Sequence, residues 1–182
     1  MPGDPVLTPA QRDVLGRARR AVLATISASG RPRLVPICFA LDPDGTTLRS
    51  PLDAKPKDVA DLHDLARVRD LRRDPRVTVL VDTWDEDWSG LAWLRCDGTA
   101  SLLESSGEDA AEHHTAVAAL RSKYPQYATH DLEGRPLIRI ALERATNWAV
   151  SDPVPASARG TRRRPLGAGS GSSSSPGDSR RR

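Results

Sequence analysis

Ser50, Lys55 and Lys57 are the residues whose type and spacing most directly suggest chemistry, within the run Ser50-Pro51-Leu52-Asp53-Ala54-Lys55-Pro56-Lys57. A hydroxyl can donate one directional hydrogen bond, and two ammonium groups can make charge-assisted contacts to an anion such as a phosphate. Pro56 stiffens the spacing between the lysines but offers no backbone N–H of its own. The run ends an apparent strand and leads into a helical stretch, a junction where an anionic group can be faced from several sides. The same residue types also fit a solvated lysine turn.

Other reactive residue types form no comparable constellation. His113 and His114 are adjacent in a helical stretch, so they do not face one another, and no matching ligand lies nearby in sequence; an exposed or locally packed role is expected. The carboxylates of Asp85-Glu86-Asp87 read as a solvated turn rather than a metal cluster, and no metal site is expected. Cys38 and Cys96 stand alone in separate strand-like runs, which fits buried, inert thiols in a reduced, cytoplasmic protein. No Tyr, His or carboxylate is assigned as a catalytic acid.

The elements that must position these residues begin with a helix. Thr8 can cap it, Pro9 suits its first turn, and Gln11 completes a capping box. Residues 21–27 follow with strand character, Ser29-Gly30 makes a hairpin turn, and residues 33–41 return, with Pro36 pointing to an edge, a bulge or an interrupted pairing. After a turn at Asp42-Pro43-Asp44-Gly45, strands are expected at 46–50, 76–82, 91–103 and 136–150, with helices at 57–73 and 107–124. Six strands with peripheral helices and tight early hairpins predict a mainly β fold, a small barrel, and give little support to repeated βαβ units.

Charge divides the chain. Residues 1–152 hold 20 Lys/Arg against 23 Asp/Glu, a net −3, whereas residues 153–182 hold seven Arg and one Asp, a net +6. The basic balance of the whole is therefore a property of the tail. Its Arg, Ser, Gly and Pro leave almost no apolar surface to offset chain entropy, so one domain over 1–152 and a disordered tail over 153–182 are expected. No aromatic interleaving accompanies the arginines, so nucleic acid is not an expected partner, and no apolar run suits a membrane span.

The ordered combination of Arg20-Ala21-Val22-Leu23-Ala24-Thr25, Gly30-Arg31-Pro32-Arg33, Lys55-Pro56-Lys57, Asp74-Pro75-Arg76-Val77, Asp85-Glu86-Asp87-Trp88-Ser89 and Lys123-Tyr124-Pro125-Gln126-Tyr127 resembles the pyridoxamine-phosphate-oxidase-like split-barrel superfamily. Within it, the chain is most similar to the branch that uses the deazaflavin coenzyme F420. The resemblance covers residues 7–152. It implies an FMN-binding-like, six-stranded split β-barrel that forms homodimers, with a flavin or deazaflavin in a groove near the subunit interface.

On this resemblance the chain is an F420-dependent oxidoreductase acting on a small-molecule redox acceptor. FMN is the alternative cofactor, and a non-catalytic flavin- or deazaflavin-binding carrier or sensor is the alternative role. Ser50, Lys55 and Lys57 become the phosphate-side candidates. Thr25, Val35 and Pro36 become candidates for the cofactor wall, although Thr25 also suits strand geometry and Val35 an ordinary core position. Trp88 is a candidate for covering the ring or for structural packing, and Trp84 for packing across the dimer. Arg95 is a candidate for the cofactor's anionic portion or for a structural ion pair. The 123–127 run is expected to end its helix and cover the barrel, or to gate substrate, and Trp148 to pack.

Overall fold

The computed structural model describes residues 5–52 and 61–149. Helix α1 (Pro9–Arg17) opens with the expected capping box: the Thr8 hydroxyl accepts from the Gln11 N–H at 3.3 Å, and the Gln11 side chain accepts from the Thr8 N–H at 2.9 Å. These two bonds satisfy donors that a helix start otherwise leaves open.

Strands β1 (Ala21–Ile26) and β2 (Pro32–Ile37) form the first hairpin, turned at Gly30, whose φ of 76° belongs to the left-handed region. β3 (Ala40–Leu41) and β4 (Thr47–Pro51) form the second. Helix α2 (Ala66–Arg73) precedes β5 (Arg76–Thr83) and the long β6 (Ala92–Leu103). Helix α3 (Ala110–Lys123) and the closing β7 (Leu137–Ala149) complete the order.

All seven strands join one antiparallel sheet in the order β2-β1-β5-β6-β7-β4-β3. The sheet curls around a core that includes Leu23, Phe39, Leu48, Val79, Leu94 and Ile140, so the mainly β, split-barrel reading holds. The strand number is a correction: seven among the described residues rather than six. The single apolar run expected over 33–41 breaks at Cys38 and Phe39, where the chain leaves β1 and pairs anew with β4. The expectation that Pro36 marks an edge is met, since β2 is the outermost strand on its side.

The helix expected over 57–73 is shorter within the described residues. Asp61 turns its side chain onto the N–H of His63 at 2.8 Å and starts a 3-10 turn at Leu62–Asp64, and regular helix begins only at Ala66. Such local side-chain capture of the backbone competes with helix. Under α3 lies a second apolar cluster, with Ala116, Val117 and Leu120 meeting Leu103, Tyr124 and Leu137. The expectation for residues 153–182 lies outside the described residues.

Candidate functional site

Ser50 sits at the C-terminal part of β4, directly before the segment that carries the two lysines. Strand alternation puts it on the same face as Leu48, and both are fully buried. Its hydroxyl has no hydrogen-bond partner among the described residues. A buried, unpaired hydroxyl costs about 1–3 kcal/mol, so this atom fits a site that supplies an oxygen acceptor from elsewhere, as a phosphate does. Lys55 and Lys57 lie outside the described residues.

The β1–β2 hairpin carries the three wall candidates. Thr25 is 1% exposed and its hydroxyl donates to the Asp70 carboxylate of α2 at 3.1 Å, so that hydroxyl is already engaged. The same carboxylate oxygen accepts from the Arg33 Nε at 2.7 Å. Arg33 is the cross-strand partner of Thr25, and Asp70 thereby spans both strands of the hairpin. Val35 is half-buried and packs against the main core, whereas Pro36 is exposed. Asp70 and Arg33 were missed in the sequence because an acid among the arginines of 67–73 reads as a solvated helix face.

Register lines up one face of the sheet. Pro36, Val22, Leu80, Arg95 and Thr146 are consecutive cross-strand partners, as are Leu34, Ala24, Thr78, Asp97 and Arg144 in the neighbouring row. Leu34 is 62% exposed on this face. The second row borders an open groove of about 440 Å³ that also touches Thr25 and Pro32. Asp97 accepts from Arg144 at 2.8 Å and from the Thr78 hydroxyl at 2.9 Å, and Arg95 approaches it at 3.8 Å. The Arg144 hydrogen bond, helped by Thr78 and Arg95, holds the Asp97 carboxyl below the usual carboxylate range.

Arg95 thus shares a row with Pro36 and makes the structural ion-pair contact the sequence allowed, while its side chain remains 44% exposed. Trp88 opens a 3-10 turn at Trp88–Gly90 between β5 and β6, capped by the Asp87 side chain, and is as exposed as Trp84. Trp148 pairs across the strands with Trp93. Within one chain's ladder, four strands separate β4, with Ser50, from β2, with Pro36.

The remaining reactive groups have ordinary settings. Cys38 and Cys96 are both free thiols, and burial, with the nearby Asp97 charge, pushes Cys96 up to about 11. His113 is buried and its Nε2 lies 2.7 Å from the Arg135 carbonyl oxygen. Among the described residues no His, Cys, Asp and Glu cluster could hold a metal. No described helix is long and apolar enough to cross a membrane. A cavity of about 520 Å³ between the β3–β4 hairpin and α3 contains none of the predicted site residues.

Comparison with known proteins agrees with this architecture. The family model described as pyridoxamine 5'-phosphate oxidase matches residues 7–149. Among solved structures, the conserved hypothetical protein Rv2991 from Mycobacterium tuberculosis superposes with a TM-score of 0.62 at 22% identity, over 82% of this chain and 89% of that one. An F420 reductase superposes with a TM-score of 0.54 at 19% identity, over 77% and 98% of the two chains. A FAD-binding protein from Mesorhizobium loti does so with a TM-score of 0.55 at 21% identity, over 78% and 94%. At these identities the structures speak to the shared fold, and it is the family match across most of the chain that fixes kinship: the protein belongs to the pyridoxamine 5'-phosphate oxidase family, within the split-barrel superfamily.

Proposed function

We propose that this chain is an F420-dependent oxidoreductase that moves a hydride between reduced deazaflavin and a small organic acceptor, working as a homodimer. The observation that carries the reading is the Ser50 hydroxyl, fully buried, without a partner among the described residues, and five positions before Lys55 in sequence. When bound, the deazaflavin supplies the redox ring, and the chain's own task is to hold and orient it.

Ser50, Lys55 and Lys57 hold the anionic arm, with the lysines neutralising charge and the serine fixing direction. The β1–β2 hairpin forms the wall beside the ring, with Pro36 on its exposed face and Thr25 and Val35 supporting it from the core face. Trp88 presents a large apolar face that excludes water, and Arg95 answers the acidic end of the coenzyme. Orientation of donor and acceptor at contact distance is the main catalytic contribution asked of the protein.

A second copy of the chain suits the exposed sheet face. Leu34 and Pro36 stand in the open beside half-buried Val22, Ala24 and Leu80, an apolar patch rimmed by Arg95, Asp97 and Arg144. Such a patch with a polar rim is what a protein interface offers. Pairing through it also allows the β4 and β2 parts of a site to come from different copies.

The choice of F420 rests on the sequence resemblance and on kinship of fold with an F420 reductase; the same resemblance keeps FMN as the competing cofactor, and a FAD-binding protein of the same fold supports a flavin as the alternative. Titration of the purified protein with F420 and FMN separately tests this, followed by oxidation of the bound reduced form with candidate acceptors. Saturable F420 binding and acceptor-dependent oxidation are expected. Retention of FMN with indifference to F420 would transfer the reading to FMN chemistry, and oxidation that no acceptor accelerates would leave a binding protein.

A further inference from the structure

We infer that Lys123 is a site of reversible carbamylation by carbon dioxide, with Arg19 as the counter-ion of the carbamate; this is independent of the redox function proposed above. Lys123 ends α3, and its half-buried side chain stands where three elements meet. Its Nζ donates to the Leu15 carbonyl oxygen in the last turn of α1 at 3.0 Å, and lies 4.0 Å from the centre of the Phe39 ring at the β2–β3 junction. No carboxylate pairs with it among the described residues.

The charged neighbour is instead a second cation. Arg19 lies 4.6 Å from the centre of the Tyr124 ring, the same ring that Lys123 Nζ approaches at 5.7 Å, and donates to the Lys123 backbone carbonyl. It too has no carboxylate partner among the described residues. The titratable groups that bear on the Lys123 amine are thus Arg19, Tyr124 and the half-buried Cys38, and none is an acid that would hold it charged. Burial, with the Arg19 charge, lowers Lys123 to about 8. At pH 7.5 about a quarter of this amine is uncharged, against about one part in a thousand for an ordinary lysine.

The residue type points the same way. The chain holds 24 Arg and only three Lys, at positions 55, 57 and 123. A cation needed merely to cap α1 and cover Phe39 could be arginine, which never gives up its proton; lysine can, and its free amine is a nucleophile.

In the reaction the nitrogen lone pair forms a C–N bond to the carbon of carbon dioxide, one C=O π pair withdraws onto oxygen, and a proton leaves the nitrogen for solvent. The product is an anion that retains one N–H for the Leu15 carbonyl. Its new carboxylate meets the Arg19 guanidinium, so two repelling cations become an ion pair. The cation–π contact with Phe39 is given up, and the charge-assisted bond to Arg19 offsets it. Carbon dioxide suits the place because it is small and uncharged, and reaches a half-buried amine without shedding a tightly held hydration shell.

The test equilibrates the full chain with bicarbonate at pH 8, traps carbamates by O-ethylation with triethyloxonium, and maps the adduct by peptide mass spectrometry. The adduct at Lys123 is expected to exceed that at either other lysine by at least about tenfold, because ordinary lysine amines are almost fully protonated there. Arg19→Gln is expected to lower it about fivefold, and Arg19→Lys to restore most of it. Equal labelling of the three lysines, no adduct at Lys123, or a parent-like yield in Arg19→Gln would overturn the inference.

Melting temperature gives a second readout. Bicarbonate, compared with chloride at equal ionic strength, is expected to raise that of the parent by about 1–3 °C. Lys123→Arg keeps a cation at the Leu15 carbonyl but cannot form a carbamate, so its melting temperature should not respond. Stabilisation that persists in Lys123→Arg would mean an anion held by charge alone, and would equally overturn the assignment.

Discussion

The Tyr124 hydroxyl closes on both backbone polar groups of Phe39, accepting from its N–H at 3.0 Å and donating to its carbonyl at 2.9 Å. Phe39 is the residue at which the chain passes from β2 to β3, so the sheet ladder leaves its peptide groups unserved, and it is fully buried. One phenol thus does the work of a missing strand partner. Tyr124→Phe strands two buried backbone groups and is expected to cost about 2–3 kcal/mol of unfolding free energy. Urea unfolding at unchanged m-value measures it, and a loss below about 0.5 kcal/mol, the scale of an ordinary surface change, would contradict the account.

A tighter steric constraint sits where β6 and β7 slip register between Asp97 and Gly98. A Cβ at Gly98 would lie 2.1 Å from the Ala141 carbonyl oxygen, an atom of the opposing backbone that cannot rotate aside. Gly98→Ala is therefore expected to destabilise by about 1–3 kcal/mol through forced backbone movement. Thermal and urea unfolding should agree on the sign, and a variant as stable as the parent would show that the bulge relaxes freely.

Lys123 predicts a pH effect. Its ammonium lies 4.0 Å above the Phe39 ring and donates to the Leu15 carbonyl at 3.0 Å, and burial, with the Arg19 charge, lowers it to about 8. Between pH 8 and the unfolded-chain value of 10.5 the unfolded state binds more protons than the folded one, so the lysine's contribution to stability rises with pH through that window and is level outside it. Tyr124 and Cys96 titrate with the opposite sign, since burial raises both. Comparing the parent with Lys123→Met cancels them. The difference in melting temperature should move in the parent's favour from pH 8 upward, and a constant difference would refute the lowered value.

Ser50→Ala separates stability from binding. Removing a buried hydroxyl that lacks a partner among the described residues is expected to leave the cofactor-free protein equally stable or about 1 kcal/mol more stable. The same change should weaken cofactor affinity, as should Lys57→Ala, which is expected to alter binding more than folding. A Ser50→Ala protein that loses stability but titrates normally would reduce Ser50 to a structural residue.

Much of the sheet was legible because strand alternation was strong. In Arg76-Val77-Thr78-Val79-Leu80-Val81 the buried positions alternate as the side-chain period of two requires. Turn chemistry at Gly30 and Gly45, both at positive φ, and the Thr8 cap were equally readable. The break at Cys38-Phe39 was hidden, because the apolar run crosses it without a glycine and its rescue comes from Tyr124, 85 residues away. Asp70 was hidden for a related reason: helix periodicity does not reveal that an acid faces a hairpin 45 residues earlier in the chain. For Ser50 the residue type was legible and its burial was not.

The two borders of the sheet have a consequence for solubility. On one border, β2 contains two residues, Pro32 and Pro36, with no amide hydrogen to offer, and on the other, β3 is only two residues long. A stray strand from a neighbouring molecule finds a poor template at either margin, which guards the fold against stacking into fibrils and leaves lateral contact between sheet faces as the favoured route to association.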